Sequence, residues 1–132
     1  MTTNYKSIAK KLKFEGRAFI DGKSVDAIDG KKFENINPAT GEVLCSVAKC
    51  NSKDVDLAVK VSKKSFNSGV WSKRSPEFRK DILLKFAELL RKHGEENSVL
   101  ECVDTGKLIS DCINEVANDA PMHFQWYGEL ID

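Results

Sequence analysis

The spacing of apolar positions in this chain changes near residue 50. Between residues 17 and 50 they occur in short, nearly alternating runs such as Phe33-Glu34-Asn35-Ile36, which is typical of half-buried strands. The runs are separated by Asp21-Gly22 and Asp29-Gly30, dipeptides that favour tight turns, and by Asn37-Pro38-Ala39-Thr40-Gly41. This first part is predicted to be a meander of short strands.

Farther along, the apolar positions recur every three or four residues, which predicts amphipathic helices. Asn51 is placed to cap the first helix and Gly69 to end it. Ser75 is placed to cap the second, with Pro76 at the first helical position, where a missing N–H costs nothing. Gly94 is expected to end that helix in the left-handed conformation.

A third, short helix is predicted over residues 95–103, and a long fourth helix begins with Ser110 as its cap. Pro121 falls inside the fourth helix. Because proline has no N–H and clashes with the carbonyl four residues earlier, that of Ala117, it predicts a kink or a break into two helices. The apolar residues of this helix are expected to lie on one side of it: Ile113, Val116, Ala117, Ala120, Phe124, Tyr127 and Ile131.

The composition is that of a soluble globular protein, with 41% apolar and 31% charged residues among 132. The pattern divides the chain into an arm (1–16), a β-hairpin segment (17–50) and a helical segment (51–132). A net charge of +1 creates no field that would gather nucleic acid or an anionic membrane. Since there is also no long apolar run and no secretory signal, we expect a cytoplasmic protein.

The residues alone suggest no active site. Cys45, Cys50, Cys102 and Cys112 lack metal-site spacing and are expected to be reduced, mostly buried thiols. His93 and Cys102 lie on either side of a helix break, which argues against a nucleophile pair. The segment Asp104-Thr105-Gly106-Lys107 lacks the upstream glycine of a phosphate loop and is interpreted as a helix end.

Several segments, taken in order, are more informative. They are Phe19-Ile20-Asp21-Gly22-Lys23, Ile36-Asn37-Pro38-Ala39-Thr40-Gly41, Asp54-Val55-Asp56-x-Ala58-Val59, Arg79-Lys80-x-x-Leu83-Leu84, Glu101-Cys102-Val103-Asp104-Thr105-Gly106-Lys107 and Trp126-Tyr127-Gly128-Glu129-Leu130-Ile131-Asp132. In this order and spacing the chain resembles the N-terminal segment of NAD(P)-dependent aldehyde dehydrogenases. Its lead-in, residues 15–20, and its closing segment most resemble the γ-glutamyl-γ-aminobutyraldehyde dehydrogenase branch.

The resemblance implies an α/β, Rossmann-type fold, of which this chain holds only the N-terminal β-hairpins and helices, an α+β fragment. It implies oxidation of an aldehyde to a carboxylic acid: a cysteine thiolate attacks the carbonyl, hydride leaves to NAD or NADP, and a glutamate-activated water releases the acid. In the family those groups and the Gly-rich cofactor turn come later in the chain. No catalytic or cofactor-binding residue is therefore assigned, and no cofactor is expected to bind this fragment.

Two peripheral sites follow from the resemblance. In some members a monovalent cation is held by the carbonyl before N-P-x-T-G and by the aspartate of D-T-G-K, which correspond to Ile36 and Asp104. The fourth helix lines the substrate entrance in the family, and the corresponding positions are Glu115, Val116 and Asp119. The chain departs from the family in having Leu108 where proline is usual and Pro121-Met122-His123 inside the helix.

The sequence thus predicts a fragment that is inactive alone. The family forms homo-oligomers, but here the helices lack the sheet on which they would pack, so we expect a molten or aggregating monomer. The alternative is an interaction module that docks on a full-length homologue.

Overall fold

The computed structural model describes residues 3–131. Its strands are β1 (Ala18–Ile20), β2 (Lys23–Val25), β3 (Lys32–Ile36) and β4 (Val43–Ala48). Its helices are α1 (Tyr5–Ala9), α2 (Ser52–Ser68), α3 (Pro76–Lys92), α4 (Gly94–Thr105), α5 (Ile109–Cys112), a π-helical segment (Ile113–Asp119) and α6 (Ala120–Glu129).

Two compact units make up the described chain. The hairpin unit contains residues 14–36 and 41–74, and the helical unit contains residues 3–13, 37–40 and 75–131. Helix α2 thus groups with the strands and not with the other helices. The division into an arm, a hairpin segment and a helical segment stays a prediction about the organisation of the larger fold.

The described strands form two separate antiparallel hairpins, β1 with β2 and β3 with β4. Asp21 and Gly22 both have positive φ, 55° and 75°, and close the first hairpin as their sequence predicted. The continuous meander was wrong, because β2 and β3 do not pair. Between them the chain turns at Gly30, whose N–H donates to the carbonyl of Ala27 at 2.8 Å.

A buried carboxylate fastens α2 to the hairpin that precedes it. Asn51 caps α2 as predicted, in a capping box completed by Asp54. The Asp54 side chain is only 3% exposed. One of its oxygens accepts the N–H of Asn51 at 2.8 Å, and the other accepts the N–H of Ile28, also at 2.8 Å. Asp54 therefore stabilises both the start of the helix and the loop after β2.

In the helical unit α3 packs on α6. The rings of Phe86 and Phe124 meet edge to face with centroids 4.6 Å apart. Gly128 lets the helices approach, since a Cβ there would lie 3.2 Å from the Cβ of Leu83. Ser75 and Pro76 begin α3 as predicted.

Two predicted helix boundaries were wrong. Gly94 does not end α3 in the left-handed conformation but begins α4 with ordinary φ. Its lack of a side chain serves packing instead, because a Cβ there would lie 2.8 Å from the Cβ of Ala117. Ser110 does not cap the last helix, which begins at Ile109; its hydroxyl donates to the Asp111 carboxylate at 3.2 Å.

The buried apolar core consists of small side chains, whereas many large ones lie on the surface. The core residues are Ala27, Ala48, Ala87, Val99 and Cys112. Phe19 and Phe66 are 75% and 74% exposed. The chain exposes 9791 Å², whereas a folded monomer of this length exposes roughly 7,000 Å². None of the described helices is long and apolar enough to cross a membrane.

Replacing Asp54 with Ala should loosen the hairpin unit. The substitution leaves the amides of Ile28 and Asn51 without acceptors, a loss of about 2–4 kcal/mol. Hydrogen exchange of peptides covering 27–30 and 51–55 should accelerate, whereas Asp56→Ala, on the exposed side of α2, should leave it unchanged. Equal exchange in both variants would contradict the role given to Asp54.

Candidate functional site

The helix around Pro121 contains a π-helical segment, Ile113–Asp119. The N–H of Ala120 donates to the carbonyl of Glu115, five residues earlier, in place of the usual four. The predicted kink or break is thus replaced by wider turns that run on into α6. A proline inside a regular α-helix destabilises it by about 3 kcal/mol or more, because one hydrogen bond is lost and the ring clashes with a carbonyl of the preceding turn. The π-helical turns lie directly before Pro121, where that clash would occur.

The burial pattern of this helix fits the π segment. Cys112 before it and Pro121 and Gly128 after it are buried. In a regular α-helix, residues nine apart, such as Cys112 and Pro121, lie about 180° from each other. The extra residue in a π turn rotates the later part by about 100°, which brings these residues closer to one side. Of the apolar side predicted for this helix, Ile113, Val116, Ala117 and Ala120 are half-buried, whereas Phe124 and Tyr127 are exposed.

Lys107 connects the end of α4 to the π segment. Its ammonium nitrogen lies 2.7 Å from an oxygen of Glu115 and 3.4 Å from an oxygen of Glu101. Its hydrogen bond to Glu115 has the largest effect on the pKa of Lys107. Together with the hydrogen bond to Glu101 it raises that pKa above its ordinary value. The sequence pattern did not indicate this cluster, although Lys107 directly follows the left-handed Gly106 that ends α4 as predicted. We call Glu101, Lys107 and Glu115 the lysine cluster.

The three positions predicted to face a substrate entrance all lie in the π segment. Glu115 and Asp119 are exposed and Val116 is half-buried. Glu115 also belongs to the lysine cluster. Their role at an entrance stays a prediction.

The two predicted cation ligands fall in different compact units. Ile36 ends β3 in the hairpin unit, and Asp104 lies in the last turn of α4 in the helical unit. Within the helical unit the two motifs do meet, because a Cβ on Gly106 would lie 2.9 Å from Cγ of Pro38. No group of three or more His, Cys, Asp or Glu side chains among residues 3–131 is arranged to hold a metal ion. The cation site stays a prediction.

Neither Cys102 nor Cys112 is arranged as a nucleophile. The Cys102 thiol donates to the carbonyl of Lys107 at 3.1 Å, whereas the His93 ring faces Glu96 at 3.8 Å. Burial raises the pKa of Cys112, which disfavours its thiolate. All four thiols are free as predicted, but only Cys112 is buried, so the expectation of mostly buried thiols was wrong.

The described residues also do not fit a dinucleotide. A pyrophosphate is usually received by a Gly-rich turn between a strand and a helix, against the free amides of the helix N-terminus. Here β4 leads into α2 through Lys49-Cys50-Asn51, which contains no glycine. The first amides of α2 are occupied by the capping box, and the carboxylate of Asp54 would repel a phosphate.

The hairpin unit has an apolar groove of about 290 Å³, walled by Ile20, Leu57 and Val61 among others. The charged groups along it are already engaged: Asp54 binds backbone amides, and Asp26 pairs with Lys32 at 3.1 Å. Asp21 and Lys23 also line the groove, and nothing in its lining identifies a particular ligand.

Comparison with known proteins gives a consistent result. The sequence profile of the aldehyde dehydrogenase family matches residues 25–132. Aminoacetaldehyde dehydrogenase of Pseudomonas aeruginosa is 43% identical over 128 residues, 97% of this chain and 26% of that protein. An NADP/NAD-dependent aldehyde dehydrogenase of Escherichia coli is 37% identical over 94% of this chain and 25% of its own length.

Solved structures agree. The γ-glutamyl-γ-aminobutyraldehyde dehydrogenase of Burkholderia cenocepacia is 41% identical, with a TM-score of 0.92 over 97% of this chain and 26% of that one. The indole-3-acetaldehyde dehydrogenase of P. syringae, solved with NAD+, is 39% identical, with the same TM-score and coverage. The chain spans about a quarter of the length of these relatives, and its hairpins and helices are those of their α/β fold.

The thiols should differ in reactivity according to their burial. Cys50, which is exposed, should react first with a thiol reagent, and Cys112 last, because it is fully buried and its pKa is raised. Timed alkylation followed by peptide mass spectrometry measures each rate, and a denatured sample provides the unprotected reference. Labelling of Cys112 as fast as Cys50 in the native protein would contradict the packing described.

Proposed function

Because the chain belongs to the aldehyde dehydrogenase family, we propose that it serves the NAD(P)-dependent oxidation of an aldehyde to a carboxylic acid as a scaffold without chemistry of its own. The observation that carries this proposal is a contrast within the described residues. Nearly all of this chain, 97%, aligns with a solved aldehyde dehydrogenase, yet no activated thiol and no dinucleotide turn accompanies its hairpins and helices among the described residues.

In this proposal the catalytic thiolate, the water-activating glutamate and the NAD(P) site belong to the remaining three quarters of the fold. Bound NAD(P)+ would accept the hydride there. The residues of this chain contribute position: Asp54 fixes the hairpin to α2, and Phe86 with Phe124 fixes α3 to α6. Their contribution to rate is indirect, through holding neighbouring segments in place.

We further propose that the π segment faces the aldehyde entrance through Glu115, Val116 and Asp119. The exposed carboxylates of Glu115 and Asp119 would favour an aldehyde that carries an amino group, since opposite charges steer encounter and orientation. Two relatives named after amino-containing aldehydes support this substrate class. Ile36 and Asp104 are proposed to contribute two ligands of a monovalent cation site that other segments complete.

The proposal predicts that the chain alone is inactive and that a chimera is active. The chimera joins residues 1–132 to the portion of the Pseudomonas aeruginosa relative that follows its matching quarter. With an amino-aldehyde, NAD(P)H should form in the chimera and not with the 132-residue chain. Gly94→Val is the matched control, because its side chain would collide with Ala117 and displace α4; it should lose most of the activity.

Either of two results would contradict the proposal. One is oxidation of the aldehyde by the isolated chain at a rate above background. The other is a chimera that is soluble, folded and inactive while the parent enzyme is active in the same assay.

The exposed large side chains favour a second function, an interaction module that docks on a full-length homologue. Trp126 and Tyr127 on α6 are both well exposed, and aromatic side chains commonly anchor protein interfaces. Co-elution of the chain with the full-length Pseudomonas aeruginosa relative would support docking. Separate elution at micromolar concentrations of both proteins would remove this alternative.

We also expect the isolated chain to self-associate through its exposed apolar residues. Light scattering after gel filtration should show mass that rises with concentration, together with binding of a hydrophobic dye. Joining the chain to the relative in the chimera should abolish both. A strictly monomeric chain with one sharp, cooperative thermal transition would show this expectation to be wrong.

A further inference from the structure

We infer that Pro121 and Lys107 are positioning residues: Pro121 holds residues 113–119 in the π-helical register, and Lys107 ties that segment to the end of α4. Together they fix where Glu115 and Asp119 lie relative to α6. The inference depends on the proposed function only in treating these carboxylates as part of a substrate entrance.

Pro121 changes the backbone hydrogen bonds of the turns that precede it. In a regular α-helix the residue at position 121 would donate its N–H to the carbonyl of Ala117, which proline cannot do. The structure instead pairs the N–H of Ala120 with the carbonyl of Glu115. The turn before the proline therefore contains one residue more than an α-helical turn. This wider turn accommodates the ring of Pro121 without a break in the helix.

The helical register determines which residues around the π segment are buried. The Pro121 and Cys112 side chains are fully buried, and Gly128 is buried against Leu83 and Leu84 of α3. In an α register Cys112 and Pro121 would lie on opposite sides of the helix. If the segment relaxed to that register, Cys112 would have to rotate out of its buried position, or Pro121 and Gly128 would have to leave theirs. The accessibility of the Cys112 thiol therefore indicates which register the helix adopts.

The lysine cluster restrains the π segment. Exposed ion pairs are individually weak, and the side chains of Lys107 and Glu115 are 44% and 53% exposed. Lys107 therefore does not fold the segment but restrains it, because one ammonium group contacts carboxylates on two elements at 2.7 and 3.4 Å. Lysine is charged at neutral pH at its ordinary pKa, and the hydrogen bonds to Glu115 and Glu101 raise the pKa of Lys107 further.

The register sets the angle between the π segment and the exposed residues of α6. Met122 and Trp126 lie on the surface of α6, just beyond Asp119. A one-residue change of register would turn these apolar side chains by about 100° relative to Glu115. An amino-aldehyde that contacts both a carboxylate and an apolar side chain would then lose one contact.

The first experiment uses the chimera, in which the chain has the neighbouring segments of the family fold, and measures alkylation of Cys112. Pro121→Ala restores the N–H and permits the α register, so Cys112 should be labelled about tenfold or more faster than in the unmodified chimera. Met122→Ala, at the exposed neighbouring position, is the matched control and should change the rate less than twofold. Exchange of the α4 peptide containing Ser98 and Val99, both buried, should stay unchanged and thereby exclude general unfolding.

The second experiment tests Lys107 by hydrogen exchange of the peptide covering residues 113–119. Lys107→Met should speed exchange about two- to fivefold, the range expected for an exposed ion pair. Lys107→Arg keeps the charge and the reach and should restore protection. If only the aliphatic part of the side chain contributed, the Lys107→Met and Lys107→Arg variants would show the same exchange rate. That result would overturn the role assigned to Lys107.

The third experiment measures kinetics in the active chimera. Pro121→Ala should raise KM for an amino-aldehyde about fivefold with kcat nearly unchanged, the pattern of lost substrate binding. KM for a neutral aldehyde should not change. An inactive chimera would defeat the proposed function while the labelling and exchange arms still test the register. Unchanged Cys112 labelling in Pro121→Ala would overturn the inference itself.

Discussion

The missing amide hydrogen of Pro121 is the constraint on which the helical unit depends. A helix that must pass a proline can bend, break or widen, and this one widens through residues 113–119. The wider turns let Cys112 and Pro121 both be buried. They also leave Ala117 against Gly94 at the start of α4, where a side chain could not fit. A local loss of one hydrogen-bond donor thus determines how two helices pack.

The same unit is held by few large buried side chains. Only small residues such as Ala87 and Val99 are fully enclosed, whereas Phe86 and Phe124 remain partly exposed despite their contact. Apolar burial is the main favourable term in folding. The hairpin unit likewise buries only small apolar residues, Ala27 and Ala48, so the polar link made by Asp54 carries more weight there than it would in a larger core. The exposed faces are consistent with a scaffold whose neighbours in the family fold are further segments.

The parts of the fold that could be predicted from the sequence are those controlled by local chemistry. Asn51, Ser75 and Gly106 act as caps because the requirement lies within one turn of each. Gly94 was misinterpreted because its close contact, Ala117, lies 23 residues away and leaves no local signal. The predicted pairing of the strands was wrong for a similar reason. Turn residues indicate where a strand ends but not which strand it pairs with.

In the candidate site, too, the contacts between residues distant in the sequence could not be predicted from local patterns. Pro121 was visible as an interruption, but the register that it selects depends on which residues the surrounding helices can bury. Lys107 lay in a recognised motif, yet its partners on α4 and the π segment became apparent only in three dimensions. Both residues act on geometry and not on bonds that form or break. In an enzyme such residues affect how a substrate is bound and oriented, because the chemical step depends on groups that they hold at a distance. In the function proposed above, a scaffold segment of this kind influences which aldehyde is accepted without containing any catalytic group.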